Sequence, residues 1–373
     1  MKSIGIICEY NPFHNGHIYH INKIKEMFPD SVIILVMSGN FTQRGDASII
    51  NKWNKTKIAL NHNIDLVIEL PFIFTNQSAD TFAFGACSIL NYLKVDYLVF
   101  GSESDNIDYI KNIVNIEDDK KYQERVKELL DNGINYPTAL SKALKDFNIN
   151  LSDSSNDLLG ISYVKALKKL NSKITPITIK RTNNYNDKTL TKYITSATSI
   201  RENINKRSIK KYVPKDTYKC LKEKKYFIED YYPLLKYKIM SEINDLNKYN
   251  DVNEGIENRI KKVIYESNSY DELIMNIKSK RYTYSKIKRI LLNILVGFTK
   301  EDKEKNKEIN YIKNKRIKKM SLKNKILFTL TWPTFDIIGR YTTYIALFMN
   351  VTWKPIPHES KVTIDDLNNK AGA

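Results

Sequence analysis

Short, almost uniformly apolar runs alternate with longer mixed segments in the first half of the chain. Four such runs lie at residues 3–8, 31–37, 65–70 and 96–100, and they are rich in Ile, Val and Leu. Strands of this composition are typical of parallel sheets, in which both faces are buried. The pattern predicts four strands, and a further run at residues 174–180 predicts a fifth.

The segments between these runs are long enough for crossover helices, at residues 17–28, 50–62 and 79–93. Alternation of strands and helices is the pattern of an α/β protein. We therefore predict an α/β domain with a Rossmann-like parallel sheet over residues 1–200.

The pattern changes after about residue 200, where strand-like runs stop and helical spacing with many lysines begins. Residues 269–298 have apolar positions at helical spacing that ends near Gly297, and residues 299–325 are strongly charged. We predict a mainly α-helical, basic domain over residues 201–373.

The chain carries 60 Lys and Arg against 42 Asp and Glu, a formal net charge of +18. Such an excess favours a polyanionic partner, because neutralised phosphates release counterions. A lysine-rich proteome would give the same excess without a partner. The bulk charge therefore suggests nucleic acid without establishing it.

Cysteine usage and hydropathy limit the compartment. Cys8, Cys87 and Cys220 are far apart and odd in number, so the sequence indicates neither a disulfide framework nor a cysteine-based zinc site. No signal-peptide pattern and no run of about 18 apolar residues is present. We expect a cytoplasmic protein without a membrane partner.

Three of the five histidines, His14, His17 and His20, follow the first predicted strand, beside Pro12 and Gly16. In open α/β sheets, ligands bind at the carboxyl ends of strands, and a helix that begins there presents free N–H groups to anions. His14 and His17 are three residues apart and can project from the first helical turn towards one point. We predict that they cradle a triphosphate.

Two other interpretations stay open for these histidines. They can be helix-capping or core groups, or His14, His17 and His20 can bind a metal. The metal is disfavoured because no acidic partner is placed as in HExxH, and because three side chains at this spacing drift around the helix. We expect no metal site, and His20 as a bystander.

Two stretches resemble a known superfamily. NPFHNGH, from Asn11 to His17, resembles the PxHxGH form of the HIGH motif of nucleotidyltransferases, and ITSATSIR, residues 194–201, resembles their ISSTxIR signature. The resemblance implies that His14 and His17 are catalytic and stabilise the phosphates of ATP. It also implies contacts to the β- and γ-phosphates from the hydroxyl groups and the arginine of the second stretch, which are Ser196, Thr198, Ser199 and Arg201. Alone, the second stretch favours an ordinary Ser/Thr helix cap, and its order after NPFHNGH supports the phosphate contacts.

Further stretches, at residues 37–60, 65–71, 100–104, 155–167 and 179–187, resemble the bacterial tRNA(Met) cytidine acetate ligase family. The resemblance implies that ATP, accompanied by Mg²⁺, and free acetate form acetyl-adenylate and pyrophosphate. The wobble cytidine of elongator methionine tRNA then attacks the acetyl group and becomes N4-acetylcytidine, with no use of acetyl-CoA.

The same resemblance implies the ATP-binding residues. They are Ile7, Cys8, Glu9, Tyr10, Asn11, Pro12, Phe13, His14, Asn15, Gly16, His17, Ile18, Tyr19, His20, Gly101, Asn156 and Arg181. Asp157 stands where the family often has a second Asn.

One polar segment and the three tryptophans each have two open interpretations. Gln43, Arg44 and Asp46 belong either to a polar surface loop or to a loop that orients acetate or the incoming base. The tryptophans, Trp53, Trp332 and Trp353, can stack on a base or pack in a core.

The segment at residues 278–289 is the candidate tRNA-binding element. Its Lys280, Arg281, Lys286 and Arg289 would contact phosphates, and its two tyrosines, Tyr282 and Tyr284, would stack on unpaired bases. The alternative is a solvated helix face with lysines that reach into water.

Two rival functions remain. One is an adenylyltransferase for a small phosphate compound, and the other is a non-catalytic tRNA-binding protein on the same scaffold. The large basic second half argues against the first, and the intact NPFHNGH and SATSIR segments argue against the second. Protein partners are not identified by the sequence.

Overall fold

The fold is taken from a computed structural model. The structure describes residues 1–134, 136–149, 155–181, 195–279 and 282–308, and two short strands beyond them.

Five parallel strands form the central sheet, and their bounds agree with the five apolar runs of the sequence. The strands are β1 (Ser3–Cys8), β2 (Val32–Ser38), β3 (Leu66–Leu70), β4 (Tyr97–Ser102) and β5 (Thr175–Lys180). Their order is β3-β2-β1-β4-β5, and every neighbouring pair is parallel. The predicted α/β class and parallel sheet are confirmed.

Helices connect the strands and cover both faces of the sheet. In the first half they are α1 (Asn15–Met27), α2 (Lys52–Asn61), α3 (Phe72–Thr75), α4 (Ala79–Tyr92), α5 (Ile107–Glu117), α6 (Lys120–Asp131), α7 (Tyr136–Asp146), α8 (Ser155–Lys169) and α9 (Ala197–Glu202). The buried residues of α4, α5 and α8 form one hydrophobic cluster against the sheet, and those of α1 and α2 form a second. The three predicted crossover helices correspond to α1, α2 and α4.

The second half is helical over most of its described part. It contains α10 (Lys215–Glu223), α11 (Tyr232–Ser241), α12 (Ile256–Val263), α13 (Tyr270–Ile277), α14 (Tyr284–Val296) and α15 (Lys300–Glu308), with 3₁₀ turns at Arg207–Lys211, Ile228–Tyr231 and Leu246–Lys248. Two antiparallel strands, β6 (Thr329–Thr331) and β7 (Tyr344–Ala346), also lie in this half.

The helical spacing of residues 269–298 belongs to two helices. Ser269 and Thr283 cap α13 and α14, and each hydroxyl accepts a hydrogen bond from the backbone of the first turn. The second helix ends where the spacing predicts, because Gly297 follows it with a φ of 78°, a conformation that side-chain-bearing residues rarely adopt.

The hydrophobic clusters change later in the chain than residue 200. Ile200, Tyr212 and Leu221 still pack in the cluster with α1 and α2, and a third cluster, which fills the helical half, begins at Ile228. The division into domains at residue 200 stays a prediction. No helix in the described ranges is long and apolar enough to cross a membrane.

Candidate active site

The candidate site is a cavity of about 370 Å³ at the carboxyl ends of β1 and β4. The strand order reverses between these two strands, since the chain runs from β1 to β2 and β3 on one side and then returns to β4 on the other. Ligands bind at this position in open α/β sheets, and the volume is in the range of small-molecule sites. The segment after β1 and the start of α1 form one wall.

Two histidines close the N-terminus of α1. His14 is the N-cap residue, and its Nδ1 accepts a hydrogen bond from the Gly16 N–H at 3.0 Å. The Nδ1 of His17 accepts in turn from the His14 N–H at 3.1 Å. A neutral imidazole that accepts at Nδ1 carries its proton at Nε2. The capping interpretation is therefore correct for Nδ1, and each ring keeps an Nε2–H donor for a ligand in the cavity that both histidines line.

These histidines are neutral at physiological pH. Burial, together with the charges of Arg181 and Arg201, lowers the pKa of His14 from 6.5 to about 3. Burial also lowers the pKa of His17 well below 6.5 and that of His20 to about 4. Two neutral imidazoles can donate hydrogen bonds to an anion without the cost of burying two imidazolium ions.

Arg201 joins the second motif to the first. Its guanidinium donates to the Asn11 carbonyl oxygen at 2.6 Å and to Thr198 Oγ1 at 3.1 Å, and it lines the cavity. Ser196 and Ser199 are buried and lie outside the cavity lining, and Ser196 Oγ caps α9 by accepting from the Ser199 N–H. Their predicted contact with ATP stays a prediction.

On the opposite wall, Gly101, Asn156 and Arg181 line the cavity together. Their contact with ATP stays a prediction. A Cβ atom at Gly101 would lie 3.1 Å from Arg181 Cγ, so the glycine leaves room for the arginine over the end of β4. Asn156 donates to Glu103 Oε1 at 2.5 Å and accepts from Arg181 at 3.4 Å.

Asp157 supports this wall from behind. It is 2% exposed and accepts hydrogen bonds from Ser102 Oγ, the Glu103 N–H and the Ser104 N–H at 2.5–3.1 Å. It therefore fixes the segment after β4, and its neighbour Asn156 contributes the side chain at the cavity.

The Gln43–Asp46 segment is divided between two surroundings. Gln43 and Arg44 line the cavity, where the Gln43 N–H donates to Glu9 Oε1 at 2.6 Å and Arg44 donates to Ser155 Oγ at 3.3 Å. Burial raises the pKa of Glu9. Asp46 is not in the lining and instead pairs with Lys288 at 2.7 Å.

Several predicted residues of the first segment lie outside the lining. Phe13 is 1% exposed and packs in the core beside His17 and His62. Asn15 donates to the Lys211 and Tyr212 carbonyl oxygens. Pro12 and Ile18 are likewise absent from the lining, whereas the other members of the predicted set from Ile7 to His20 are in it.

Lys55 supports the site from outside the cavity lining, and the sequence did not single it out. Its side chain is in the interior, where Nζ donates to the carbonyl oxygens of Glu9 at 2.8 Å and Ser38 at 2.9 Å. Burial lowers its pKa to about 8. The lysine ties together the ends of β1 and β2. A lysine ordinarily indicates a solvated helix face. The one sequence signal for burial of Lys55 is its helical spacing with the apolar residues Ile58 and Ala59 of α2.

Part of the remaining lining is apolar, and the sequence did not predict it. Helices α4 and α8 contribute Ala79, Phe82, Leu159 and Tyr163 to the lining. Helical spacing shows that such residues face inward, but it does not distinguish a cavity from a packed core.

The candidate tRNA-binding residues lie on or before α14, and Lys280 and Arg281 are outside the described residues. Lys286 is 3.6 Å from Glu254, and burial lowers the pKa of Arg289. Tyr284 is 43% exposed, with Lys278 Nζ 3.8 Å from its ring centre.

The predicted role of Tyr282 in base stacking is wrong. It is 3% exposed, and its hydroxyl donates to the Asn253 and Glu254 carbonyl oxygens. Trp53 is 48% exposed, so it is not a core residue; Trp332 and Trp353 lie outside the described residues.

Within the described ranges, no group of three His, Cys, Asp or Glu side chains is arranged to hold a metal ion. The Nδ1 atoms of His14 and His17 are already engaged with the backbone. A protein-bound metal at the three histidines therefore does not fit this geometry.

Comparison with known proteins agrees with the geometry. A family model described as HIGH Nucleotidyl Transferase matches residues 1–329. A protein named tRNA(Met) cytidine acetate ligase from Clostridium novyi is 42% identical over 335 residues, which cover 85% of this chain and 82% of that protein. A protein of the same name from Fusobacterium nucleatum is 40% identical over 325 residues, with coverage of 83% and 81%.

Two crystal structures of one related protein also match this chain. The apo crystal structure of Thermotoga maritima TmcAL (form I) matches with a TM-score of 0.77 and 33% identity, over 82% of this chain and 78% of that one. Form II of that protein, bound with alpha-thio ATP, matches with a TM-score of 0.75 at 33% identity, over 83% and 78%.

Proposed function

The chain belongs to the tRNA(Met) cytidine acetate ligase family, within the HIGH nucleotidyl transferases, and from this premise we propose that it joins acetate to the wobble cytidine of elongator methionine tRNA. ATP is the second substrate, and the product is N4-acetylcytidine. The reaction uses free acetate and not acetyl-CoA. Because the reaction needs tRNA and ATP, we place it in the cytoplasm.

In the first step, an acetate oxygen attacks the α-phosphorus of ATP, an acetyl–phosphate anhydride bond forms, and pyrophosphate leaves. The difficulty is electrostatic, because one anion attacks another and charge grows on the leaving phosphates. The Nε2–H groups of His14 and His17 and the guanidinium of Arg201 are the groups that this chain offers to those phosphates.

Magnesium enters as part of the substrate. Mg²⁺ is bound mainly by the phosphates of ATP and retains several waters in most such sites. The residues at the cavity fit a metal carried in this way, because their histidines and arginines are donors to phosphate oxygens. The ion supplies charge neutralisation of the phosphates when it is bound.

We assign acetate to the part of the cavity between Arg44 and the apolar wall. Arg44 and Gln43 can hold the carboxylate, while Phe82 and Tyr163 face the methyl group. Glu9, whose pKa is raised by burial, is more easily neutral there than an exposed carboxyl, which reduces repulsion of acetate.

In the second step, the exocyclic amine of cytidine attacks the acetyl carbonyl carbon. The bond from this carbon to the bridging oxygen breaks, and AMP leaves with that oxygen on its phosphate. A proton is lost from the amine to a base or to water. The tRNA must therefore cover the cavity, and the basic helical half is the surface that we assign to it, with Lys280, Arg281, Lys286 and Arg289 as phosphate contacts and Tyr284 as a stacking residue.

The observation that carries the proposal is the fixed pair of neutral histidines beside Arg201 in a cavity that also contains Arg44. The test is an incubation of the protein with ATP, isotopically labelled acetate and unmodified methionine tRNA. Nucleoside mass analysis is expected to find labelled acetylcytidine only when ATP is present. A parallel incubation with labelled acetyl-CoA in place of acetate and ATP serves as the control and is expected to leave the tRNA unlabelled.

Two results would replace the proposal. Acetate-driven exchange of pyrophosphate into ATP without label in tRNA would keep the adenylating step and move the acceptor to a small molecule. Tight tRNA binding with neither activity would favour a non-catalytic binding protein.

A further inference from the structure

The turn from Thr42 to Asp46 lies between the cavity and helix α14. It is tightly closed, because the Thr42 N–H donates to the Asp46 carbonyl at 2.9 Å and the Gly45 N–H donates to the Thr42 carbonyl at 3.1 Å. On either side, Phe41 and Ala47 form a β-bridge. A turn closed in this way moves as one body, so a contact at its tip also sets its cavity side.

The tip of the turn rests directly on the backbone of α14. A Cβ atom at Gly45 would lie 2.6 Å from the Lys288 carbonyl carbon and 2.7 Å from the Arg289 nitrogen, and the φ of Gly45 is 85°. Both the close approach and the left-handed backbone require glycine here. Next to it, Asp46 pairs with Lys288 at 2.7 Å, with about a third of each side chain or less in solvent.

A second contact joins helix α14 to the α/β half. Asn76 Nδ2 donates to the Arg289 carbonyl at 3.0 Å and to Asn293 Oδ1 at 2.7 Å. Its neighbour Gln77 accepts a hydrogen bond from Gln43 Nε2 at 2.6 Å. Helix α14 therefore holds the turn directly through Gly45 and Asp46 and indirectly through Asn76 and Gln77.

The other side of the turn carries Gln43 and Arg44, which contact Glu9 and Ser155 at the cavity. We infer that Gly45 and Asp46 are positioning residues, which hold Gln43 and Arg44 at the acetate end of the cavity by seating the turn on α14. The inference rests on the proposed function for the identity of acetate. It makes the helical half necessary for acetate activation even when no tRNA is bound.

The first test compares two glycines. Gly45→Ala adds a methyl group where the α14 backbone lies, whereas Gly133→Ala adds one at a similar φ of 77° with nothing within 4 Å. In acetate-dependent ATP–pyrophosphate exchange without tRNA, we expect Gly45→Ala to raise the KM for acetate roughly 10- to 100-fold, the scale of a misplaced positioning group. The KM for ATP is expected to stay within about twofold, and Gly133→Ala is expected to resemble the parent protein.

The second test separates the ion pair from general stability. Lys288→Met and Asp46→Asn are each expected to raise the KM for acetate roughly threefold to tenfold, the free-energy scale of a partly buried ion pair. The exchanged pair, Asp46→Lys with Lys288→Asp, is expected to recover most of the loss. Lys303→Met is the matched control, because Lys303 forms a similarly exposed pair with Asp251 in the same half.

A third measurement does not depend on activity. Hydrogen–deuterium exchange of the peptide at residues 40–48 is expected to accelerate in Lys288→Met and not in Lys303→Met. An unchanged KM for acetate in Gly45→Ala, or equal increases in the KM for acetate and ATP, would overturn the inference. If the parent protein shows no acetate-dependent exchange, the proposed function fails, and faster deuterium uptake in Lys288→Met alone would still support the positioning role.

Discussion

The interior of the α/β half and the surface of the helical half place their polar and charged groups differently. In the α/β half, Lys55 is 1% exposed in the interior and the neutral His14 is 5% exposed at the cavity, and both are bonded to backbone groups. In the helical half, pairs such as Lys286–Glu254 and Lys303–Asp251 are 3.6–3.9 Å apart and leave about 30% or more of most side chains in solvent.

This difference separates two kinds of electrostatic work. A buried donor keeps its position without solvent, so its effect on a reacting phosphate is large and little screened by salt. An exposed lysine contributes less individually, and its effect falls with salt because it displaces counterions from nucleic acid. Substitutions in the two halves are therefore expected to differ both in size and in salt dependence.

The largest effect is expected at the histidine pair. His14→Ala or His17→Ala removes one fixed donor and is expected to lower adenylate formation by roughly 10²–10³. The measurement is acetate-dependent ATP–pyrophosphate exchange, with the loss expected to be similar at low and high salt. His62→Ala is a suitable control, because His62 also packs on Phe13 but is not in the cavity lining. Near-normal exchange in both cavity variants would refute the phosphate cradle.

A smaller effect, on stability, is expected at Lys55. Lys55→Met removes hydrogen bonds to the Glu9 and Ser38 carbonyl oxygens in the interior and is expected to lower the free energy of unfolding by about 2 kcal/mol. Denaturant unfolding measures this change. Lys57→Met, at an exposed position of the same helix, is expected to change it by about 0.5 kcal/mol or less. Equal effects of the two substitutions would show that Lys55 does not tie the strand ends together.

The buried histidines also predict a pH dependence of stability. Burial lowers the pKa of His20 from 6.5 to about 4, so the unfolded chain binds more protons than the folded chain between these values. Stability is therefore fully present above pH 6.5 and is lost as the pH falls towards 4. Between pH 7 and 5.5, one such histidine contributes a loss of about 1 kcal/mol.

His20→Asn isolates this contribution from that of the carboxylates. Its free energy of unfolding is expected to fall by about 1 kcal/mol less than that of the parent protein over the same interval. Identical pH slopes for the two proteins would mean that His20 titrates normally in the folded state.

The smallest effect per substitution is expected for the basic residues of α14 and of the segment before it. Replacement of Lys280, Arg281, Lys286 and Arg289 by Ala is expected to weaken tRNA binding and to reduce the slope of log K against log salt by about one per lost phosphate contact. The measurement is a salt titration of tRNA affinity.

Replacement of four exposed lysines of α5 and α6 by Ala removes the same net charge from the α/β half and serves as the control; they are Lys111, Lys120, Lys121 and Lys127. This control is expected to leave the slope unchanged. If the α14 variant also keeps its slope, those residues are not in the interface.

The sequence predicted those features that depend on local pattern. The buried strands were recognisable because their apolar runs are uniform, and the start of α1 because His14, Gly16 and His17 follow a strand directly. The family resemblance also named Gly101, Asn156 and Arg181, which lie together in one cavity lining, while their contact with ATP stays a prediction.

Features that depend on distant contacts were not predictable in this way. Lys55 has the residue type of a solvated face, and only the approach of β1 and β2 makes it an interior donor. Tyr282 and Tyr284 have similar local surroundings in the sequence, yet one is buried and the other exposed. The Asp46–Lys288 pair joins positions 242 residues apart, so neither residue indicates the other.

The most direct test of this account compares the salt dependence of the two half-reactions in one preparation. Acetate-dependent ATP–pyrophosphate exchange without tRNA is expected to change at most a few-fold between low and high salt, because the donors to the reacting phosphates are fixed in the cavity and do not bind by displacing counterions. The rate of acetyl transfer to limiting tRNA is expected to fall steeply over the same range. If both rates fell in parallel, or if transfer to tRNA were as insensitive to salt as exchange, the division of electrostatic work between the two halves would be contradicted.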